Sequence, residues 1–269
     1  MSTRRRPSAS GILGAIALVA ALSSAALAGP PSSPVADPGF RVAYPMTAPT
    51  SVSSMAGVEL AALHVDGMHL AFRQDEPLDE GGVSLSFADL SNEVRAVIRV
   101  VVTRDATTAR RLLDRELHGI ARILPEMTPT ALGDLVYGDE GRGDVVVAAT
   151  VANVLYVVRA IPEGNASITV PTAATIAADV RAAMRAGTPI FPTPSVSLPK
   201  TIAWKSGGEI TVATGAGQTP KLRGEGAYVS RGPSAPLLRP FAKGPVAVVA
   251  LVVDELGRVG TARAESIAL

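Results

Sequence analysis

The strongest constraint in the sequence is the run at residues 144–161, DVVVAATVANVLYVVRAI, its densest stretch of β-branched residues. β-Branched side chains are stiff at χ1 and pack well on a pleated surface, so the run favours strand over helix. It is too short to span a bilayer comfortably. Ala152-Asn153 divides it into two strands that fold back on each other as a hairpin. The run is almost continuously apolar, where a strand with one wet face would alternate. That pattern predicts that both faces of the sheet are covered at this hairpin.

Two segments flanking the hairpin have helical character. In residues 105–124, Ala109, Leu112, Leu113, Leu117, Ile120 and Leu124 form one apolar stripe, and the opposite face is charged. Thr103 or Asp105 caps its start, and Pro125 and Pro129 stop it. In residues 173–186, Ile176, Val180 and Met184 form a narrower seam, with Thr172 as cap and Gly187 as stop. Before the first helix, residues 58–65 and 68–73 read as strands around an Asp66-Gly67 turn. Val83, Leu85 and Phe87 alternate with serines, and residues 94–103 are strongly β-branched. Residues 132–137 open another strand. Short loops between strands favour antiparallel pairing. Residues 58–187 therefore read as an α+β domain, an antiparallel sheet covered by two helices, one on each face of the central hairpin.

The segments on either side have a different character. Arg4, Arg5 and Arg6 precede a 12-residue apolar stretch, residues 11–22, and Ala26-Leu27-Ala28 presents small residues at a peptidase site. This is the pattern of a signal peptide cleaved after Ala28, and it directs the chain to export: periplasm, cell surface or medium. An uncleaved anchor is the competing reading. Residues 29–57 contain six prolines and no apolar period, as an extended tether would. Residues 188–199, with four prolines, read as a linker.

Residues 200–269 show no helical period, and strands are expected at 209–214, 227–231, 246–254 and 259–266. VAVVALVVDELGRVGTARAES, where two strands flank a D-x-x-G turn, resembles a bacterial immunoglobulin-like module. The resemblance implies a small β-sandwich that spaces or docks, and it carries over no catalytic residue. The cysteine pair of antibody domains is absent, and Trp204 lies too early to be the core tryptophan.

Charge and composition limit the classes of function. The chain has 25 Lys and Arg against 24 Asp and Glu. Removing residues 1–28 takes away three arginines and no acid, leaving 22 against 24, or −2. That balance suggests neither nucleic acid nor an anionic membrane as partner, and no membrane span remains once the signal is cleaved. No cysteine is present, which excludes disulfides, thiol catalysis and a lipobox.

No complete catalytic set appears. Ser197-Leu198-Pro199-Lys200 matches S-x-x-K, but it lies among prolines and lacks the companion motifs. G-x-S-x-G and H-E-x-x-H are absent. Residues 138–143 are glycine-rich but join strands and precede no helix, so they make no phosphate loop. Arg142-Gly143-Asp144 is read as a chance match, and Asn165-Ala166-Ser167 fits a glycosylation acceptor, which matters only in a eukaryotic secretory path. His118 sits at the edge of the first helix's apolar stripe. Two clusters remain as metal candidates. His64, Asp66 and His69 meet if the Asp66-Gly67 turn folds a hairpin. Asp75, Glu76, Asp79 and Glu80 offer oxygens for calcium but lack EF-hand spacing. No cofactor is implied, and a glycosidase cleft is disfavoured by the scarcity of aromatics at 4%.

The leading expectation is an exported, non-catalytic binding or structural protein of the bacterial cell envelope or exterior, whose partner is an envelope protein or a small ligand. One alternative is a hydrolase using His64, Asp66 and His69 or the 75–80 loop. Another is a carrier of a small apolar ligand held between helix and sheet.

Overall fold

The computed structural model describes residues 44–46, 53–76, 81–120, 122–127, 131–139, 145–161 and 172–269. The segment read as a signal peptide, Asp79 and Glu80 of the acidic cluster, residues 142–144 and residues 165–167 lie outside these.

The first part of the chain runs β1 (Met55–Val58), a 3₁₀ turn (Leu60–Ala62), β2 (His69–Glu76), β3 (Gly82–Ala88), β4 (Val94–Val102), α1 (Ala106–Gly119), β5 (Leu135–Asp139), β6 (Val145–Val151), β7 (Val154–Ala160), α2 (Ala173–Ala182) and β8 (Met184–Ala186). Six strands form one antiparallel sheet in the order β2-β3-β4-β7-β6-β5. β1 and β8 pair separately.

The hairpin β6–β7 lies inside this sheet, and its two sets of side chains serve two cores. Val147, Ala149, Val151, Val154, Tyr156 and Val158 join Ile176, Ala177 and Val180 of α2. Val146, Ala148, Leu155 and Val157 join Leu112, Leu113 and Leu117 of α1. One helix covers each face, which is why the run needs no polar alternation. Each Val, Leu or Ile side chain among them, taken fully from water, contributes about 1.5–3 kcal/mol.

The hairpin turn is fixed by polar groups. Ala152 has φ of +49°, a conformation usually given to glycine in a two-residue hairpin loop. Its N–H donates to Asp134 Oδ2 at 2.7 Å. Asn153 is buried and fully engaged. Its Oδ1 accepts from Met55 N–H at 2.6 Å, and its Nδ2 donates to Met55 O at 3.0 Å and Thr103 O at 2.8 Å. Thr103 N–H and Oγ1 both donate to Asn153 O at 2.8 Å. One amide thus ties β1, the end of β4 and the central turn together.

The helices are shorter than the apolar periods suggest. Asp105 caps α1, accepting from Thr108 N–H at 2.8 Å, but the helix ends at Gly119. Pro125 disfavours helical backbone at Leu124, which reaches the α1-side core from an irregular segment instead. That segment then borders β5, with Met127 N–H on Val136 O at 2.8 Å and Gly138 N–H on Pro125 O at 3.0 Å. Residues 173–186 are not one helix either. α2 stops at Ala182, and Met184 enters the core from β8, whose pairing with β1 replaces the last helical turn.

The folded part also begins earlier than Val58, because Met55 is buried in β1 and Tyr44 and Met46 pack on the α1-side core. Tyr137 Oη donates to Pro45 O at 2.6 Å. The segment read as a tether is therefore held at residues 44–46 and 55–57. The strand expected at 58–65 does not form: β1 ends at Val58, and the 3₁₀ turn follows it.

The rest of the chain is all β: β9 (Ser195–Ser197), β10 (Thr201–Ile202), β11 (Gly208–Glu209), β12 (Thr211–Ala213), β13 (Lys221–Glu225), β14 (Ala227–Ser230), β15 (Leu237–Pro240), β16 (Gly244–Val253) and β17 (Val259–Ala268). They form sheets β10-β17-β16-β13, β11-β15-β14 and β12-β9. A small aliphatic core includes Ile202, Ile210, Leu238, Val246 and Val248. The strand expected at 209–214 is broken at Ile210, which turns inward and donates its N–H to Pro236 O at 2.8 Å. The proline-rich stretch 188–199 contains β9, paired with β12, rather than running free.

The β16–β17 turn docks on the first part of the chain. Leu256 O accepts from Val58 N–H at 2.9 Å, and Glu255 O accepts from Leu60 N–H at 3.0 Å. Val253 and Val259 pack against the α2-side core. Gly81, at φ +52°, lies so close under Val259 that a Cβ there has no room. No helix among the described residues is long and apolar enough to cross a membrane.

Candidate functional site

Both faces of the central hairpin are occupied by helices, so the open surface of the sheet lies at its margin. The two margins differ. β5 is bordered by the 125–127 segment, whereas β2 pairs only with β3 among the described residues. An edge strand of eight residues with a free row of N–H and C=O groups is a template for another strand.

The residues of β2 sharpen this. A register shift between Leu70 and Phe72 places Leu70 opposite Phe87, on the α2 side of the sheet, and Phe72 opposite Ser86, on the α1 side. One large apolar side chain therefore stands on each face at the same edge, and they are 51% and 47% exposed. Beside Leu70 runs a groove of about 340 Å³. Leu60, Leu63, Leu70, Leu85 and Val253 form its apolar wall, with Arg73, Asp254 and Glu255 at its rim. The 3₁₀ turn supplies one side, β2 the floor and the docked β16–β17 turn the other. An apolar groove with a few charged rim groups beside a free strand edge can hold an extended chain.

The carboxylates of β2 are structural. Asp75 and Glu76 belong to the strand, in register with Val83 and Gly82, rather than to a solvated loop. The Asp75 side chain is 3% exposed; Arg73 Nε donates to it at 2.8 Å, and Lys221 Nζ of β13 lies 2.5 Å away. Glu76 accepts from Arg99 Nε at 3.1 Å, Arg99 Nη2 at 2.8 Å and Ser84 Oγ at 3.1 Å. Arg99 also bonds Glu116, so it joins β2 and β4 to α1. Burial alone would lower the Arg99 pKa, but the charges of Glu116 and Glu76 outweigh it and raise it.

His64, Asp66 and His69 do not form a cage. Gly67 takes the positive φ of the expected turn, and Met68 N–H donates to Val65 O at 3.0 Å. With no strand before that turn, however, there is no hairpin across which the histidines meet. His64 Nδ1 bonds Ala62 O at 3.0 Å, His64 Nε2 lies 3.7 Å from Asp66, and all three residues are exposed. Among the described residues no group of three His, Asp or Glu side chains is arranged to hold a metal ion. Ser197 is exposed on β9 and heads no helix, so the S-x-x-K match has none of the required geometry.

The interface between α1 and the sheet is filled by Leu113, Leu117, Tyr137 and Leu155. Burial pushes the Tyr137 hydroxyl up to about 12, helped by the negative charge of Glu126. Tyr156, which donates to Leu132 O at 2.7 Å, is also raised by burial. Both are satisfied core hydroxyls.

Leu70 and Phe72 fall in the strand expected at 68–73, but their i, i+2 spacing implies one shared face, and the register shift at Ala71 instead sets them on opposite faces of an edge strand. No protein-family model matches the sequence, and no curated protein is significantly similar to it.

Proposed function

We propose that the chain is an exported, non-catalytic binding protein of the bacterial cell envelope, and that its binding element is the free edge of β2 with the groove beside Leu70. The observation that carries this is the asymmetry of the sheet. Both faces of its centre are spent on helices and one edge is bordered, while the other edge presents two exposed apolar side chains. The occupant that fits is an extended peptide added antiparallel or parallel to β2. Backbone hydrogen bonds hold such a segment, and alternate side chains fill the groove. The Asp75 and Glu76 ion pairs support this reading over a hydrolase, because they engage both carboxylates with cations inside the fold.

The export reading rests on residues 4–28, and residues 200–269 are proposed as an immunoglobulin-like sandwich that braces the groove. Three sheets sharing one small aliphatic core support that, as does the docked β16–β17 turn.

The test is a titration of the purified protein with extended peptides of about ten residues that alternate apolar and polar positions, followed by backbone NMR. Shifts are expected to cluster on residues 60–63 and 69–76 and to vanish in Leu70→Lys and Phe72→Lys. Shifts confined elsewhere, or a turnover that depends on a residue of residues 29–269, would overturn it.

A further inference from the structure

The module at residues 200–269 contains three aromatic residues, Trp204, Tyr228 and Phe241. None of them is in its core, which is wholly aliphatic. Buried aromatics normally dominate a core, so placing all three outside calls for another explanation. Tyr228 and Phe241 are 50% and 67% exposed, and their rings stack at 5.9 Å between centroids. They share the outer face of β14–β15, where Tyr228 faces Arg239 and Phe241 N–H donates to Gly226 O at 3.1 Å.

Trp204 sits at the same end. The turn at residues 203–207 is closed by the Ala203–Gly207 bridge and leads into Gly208, the partner of Leu238. It therefore extends beyond β11 towards residues 239–241. A Cβ at Gly207 would stand 3.3 Å from Arg239 Cγ. Trp204 N–H donates to Leu269 O at 3.2 Å, which adds the exposed Leu269 and Ile267 to the same neighbourhood.

Cations surround these rings. Lys205 Nζ is 5.7 Å from the Trp204 ring centroid, Arg239 lies across from Tyr228, and exposed Lys243 follows Phe241. The acids Glu225 and Glu265 share Arg263, at 2.7 and 2.8 Å. Charge is also divided along the chain. Residues 200–269 carry nine Lys and Arg against five Asp and Glu, or +4, whereas residues 58–187 carry twelve against eighteen, or −6. The near-neutral balance of the whole chain conceals this split.

We propose that the Trp204, Tyr228 and Phe241 end of this module rests on an anionic lipid surface. Aromatic rings partition at the headgroup level, and Lys and Arg around them add roughly 1 kcal/mol each near an anionic leaflet. No span is needed for such contact. The charge division also orients the molecule, turning the acidic first part away from the lipid.

Trp204 is the sole tryptophan, so its emission reports this one place. The probe protein is the chain from Gly29, which keeps every described residue and removes the apolar segment that would bind lipid by itself. It is mixed with vesicles of phosphatidylglycerol and phosphatidylcholine, or of phosphatidylcholine alone, each containing brominated lipid. The expected result is a blue shift and bromine quenching of Trp204 on the anionic vesicles only, abolished by 0.5 M salt. Lys205→Glu with Lys243→Glu should weaken binding by at least about tenfold, and Phe241→Ala should reduce it, with folding checked by circular dichroism. Leu70→Lys should leave it unchanged, which separates this surface from the β2 groove. Trp204 emission indifferent to both vesicle types would overturn the proposal in favour of a protein partner, as would quenching retained in the double-lysine variant.

Discussion

Replacing Asn153 with alanine removes three hydrogen bonds at once and leaves Met55 N–H, Met55 C=O and Thr103 C=O without their amide partner in a buried site. A buried polar group stripped of its partner costs about 1–3 kcal/mol. With the N–H near the top of that range and the carbonyls near the bottom, the loss is about 3–5 kcal/mol. That is a large share of a typical total of about 5–15 kcal/mol. The assay is urea unfolding followed by tyrosine near-UV circular dichroism, which reports Tyr137 and Tyr156 beside the hairpin. At a slope of about 2 kcal/mol/M the midpoint falls by about 1.5–2.5 M. Asn153→Asp keeps the acceptor for Met55 N–H but sets a carboxylate against two carbonyl oxygens, which raises its pKa. A group with a raised folded pKa gives stability that is present at low pH and lost as pH rises through that pKa. The deficit of this variant against the native chain should therefore shrink on acidification. A midpoint shift under about 0.5 M for Asn153→Ala would refute the view that this amide fastens β1, β4 and the central turn.

Ala152→Gly should raise stability by about 0.5–1 kcal/mol in the same assay, because glycine takes φ +49° without the Cβ penalty. Leu113→Ala, at the fully buried centre of α1, should cost about 2–5 kcal/mol. Tyr137 ionises at about 12 when folded against 10.0 as a free side chain. Its contribution is thus complete below pH 10 and lost as pH rises towards 12, so alkaline unfolding should begin in that window and be weaker in Tyr137→Phe. Absorbance at 295 nm should show Tyr137 and Tyr156 titrating above the range of a free tyrosine.

The centre of the sheet was legible in the sequence because its physics is local. The 144–161 run is β-branched throughout, and each of its two side-chain sets meets its own helix, as near-continuous apolarity requires. The Thr172 cap was legible for the same reason, and the other was narrowed to Thr103 or Asp105, of which Asp105 caps, since a capping side chain needs only the backbone three residues on. Features set by distant partners were not legible. Met55 and Met184 gave no strand period, because β1 and β8 are short and stabilised by each other. Tyr44 lay among prolines, and its place depends on Tyr137 and Leu124. The acidic cluster illustrates the same limit at the candidate site. Asp75 and Glu76 read as loop carboxylates because Lys221 and Arg99, the cations that draw them into the fold, are 146 and 23 residues away in sequence. The edge character of β2 is a property of the whole sheet order, and no window of residues contains it.

Peptide-resolved hydrogen–deuterium exchange on the free protein tests the central claim most directly. The account predicts that amides of Val145–Val151 and Val154–Ala160 exchange last, near the limit set by global unfolding. It predicts that the β2 amides not bonded to β3 exchange orders of magnitude sooner, from the native state. Protection of His69–Glu76 equal to that of the central hairpin would mean that the edge is already covered, and would contradict both the free margin of the sheet and the binding function built on it.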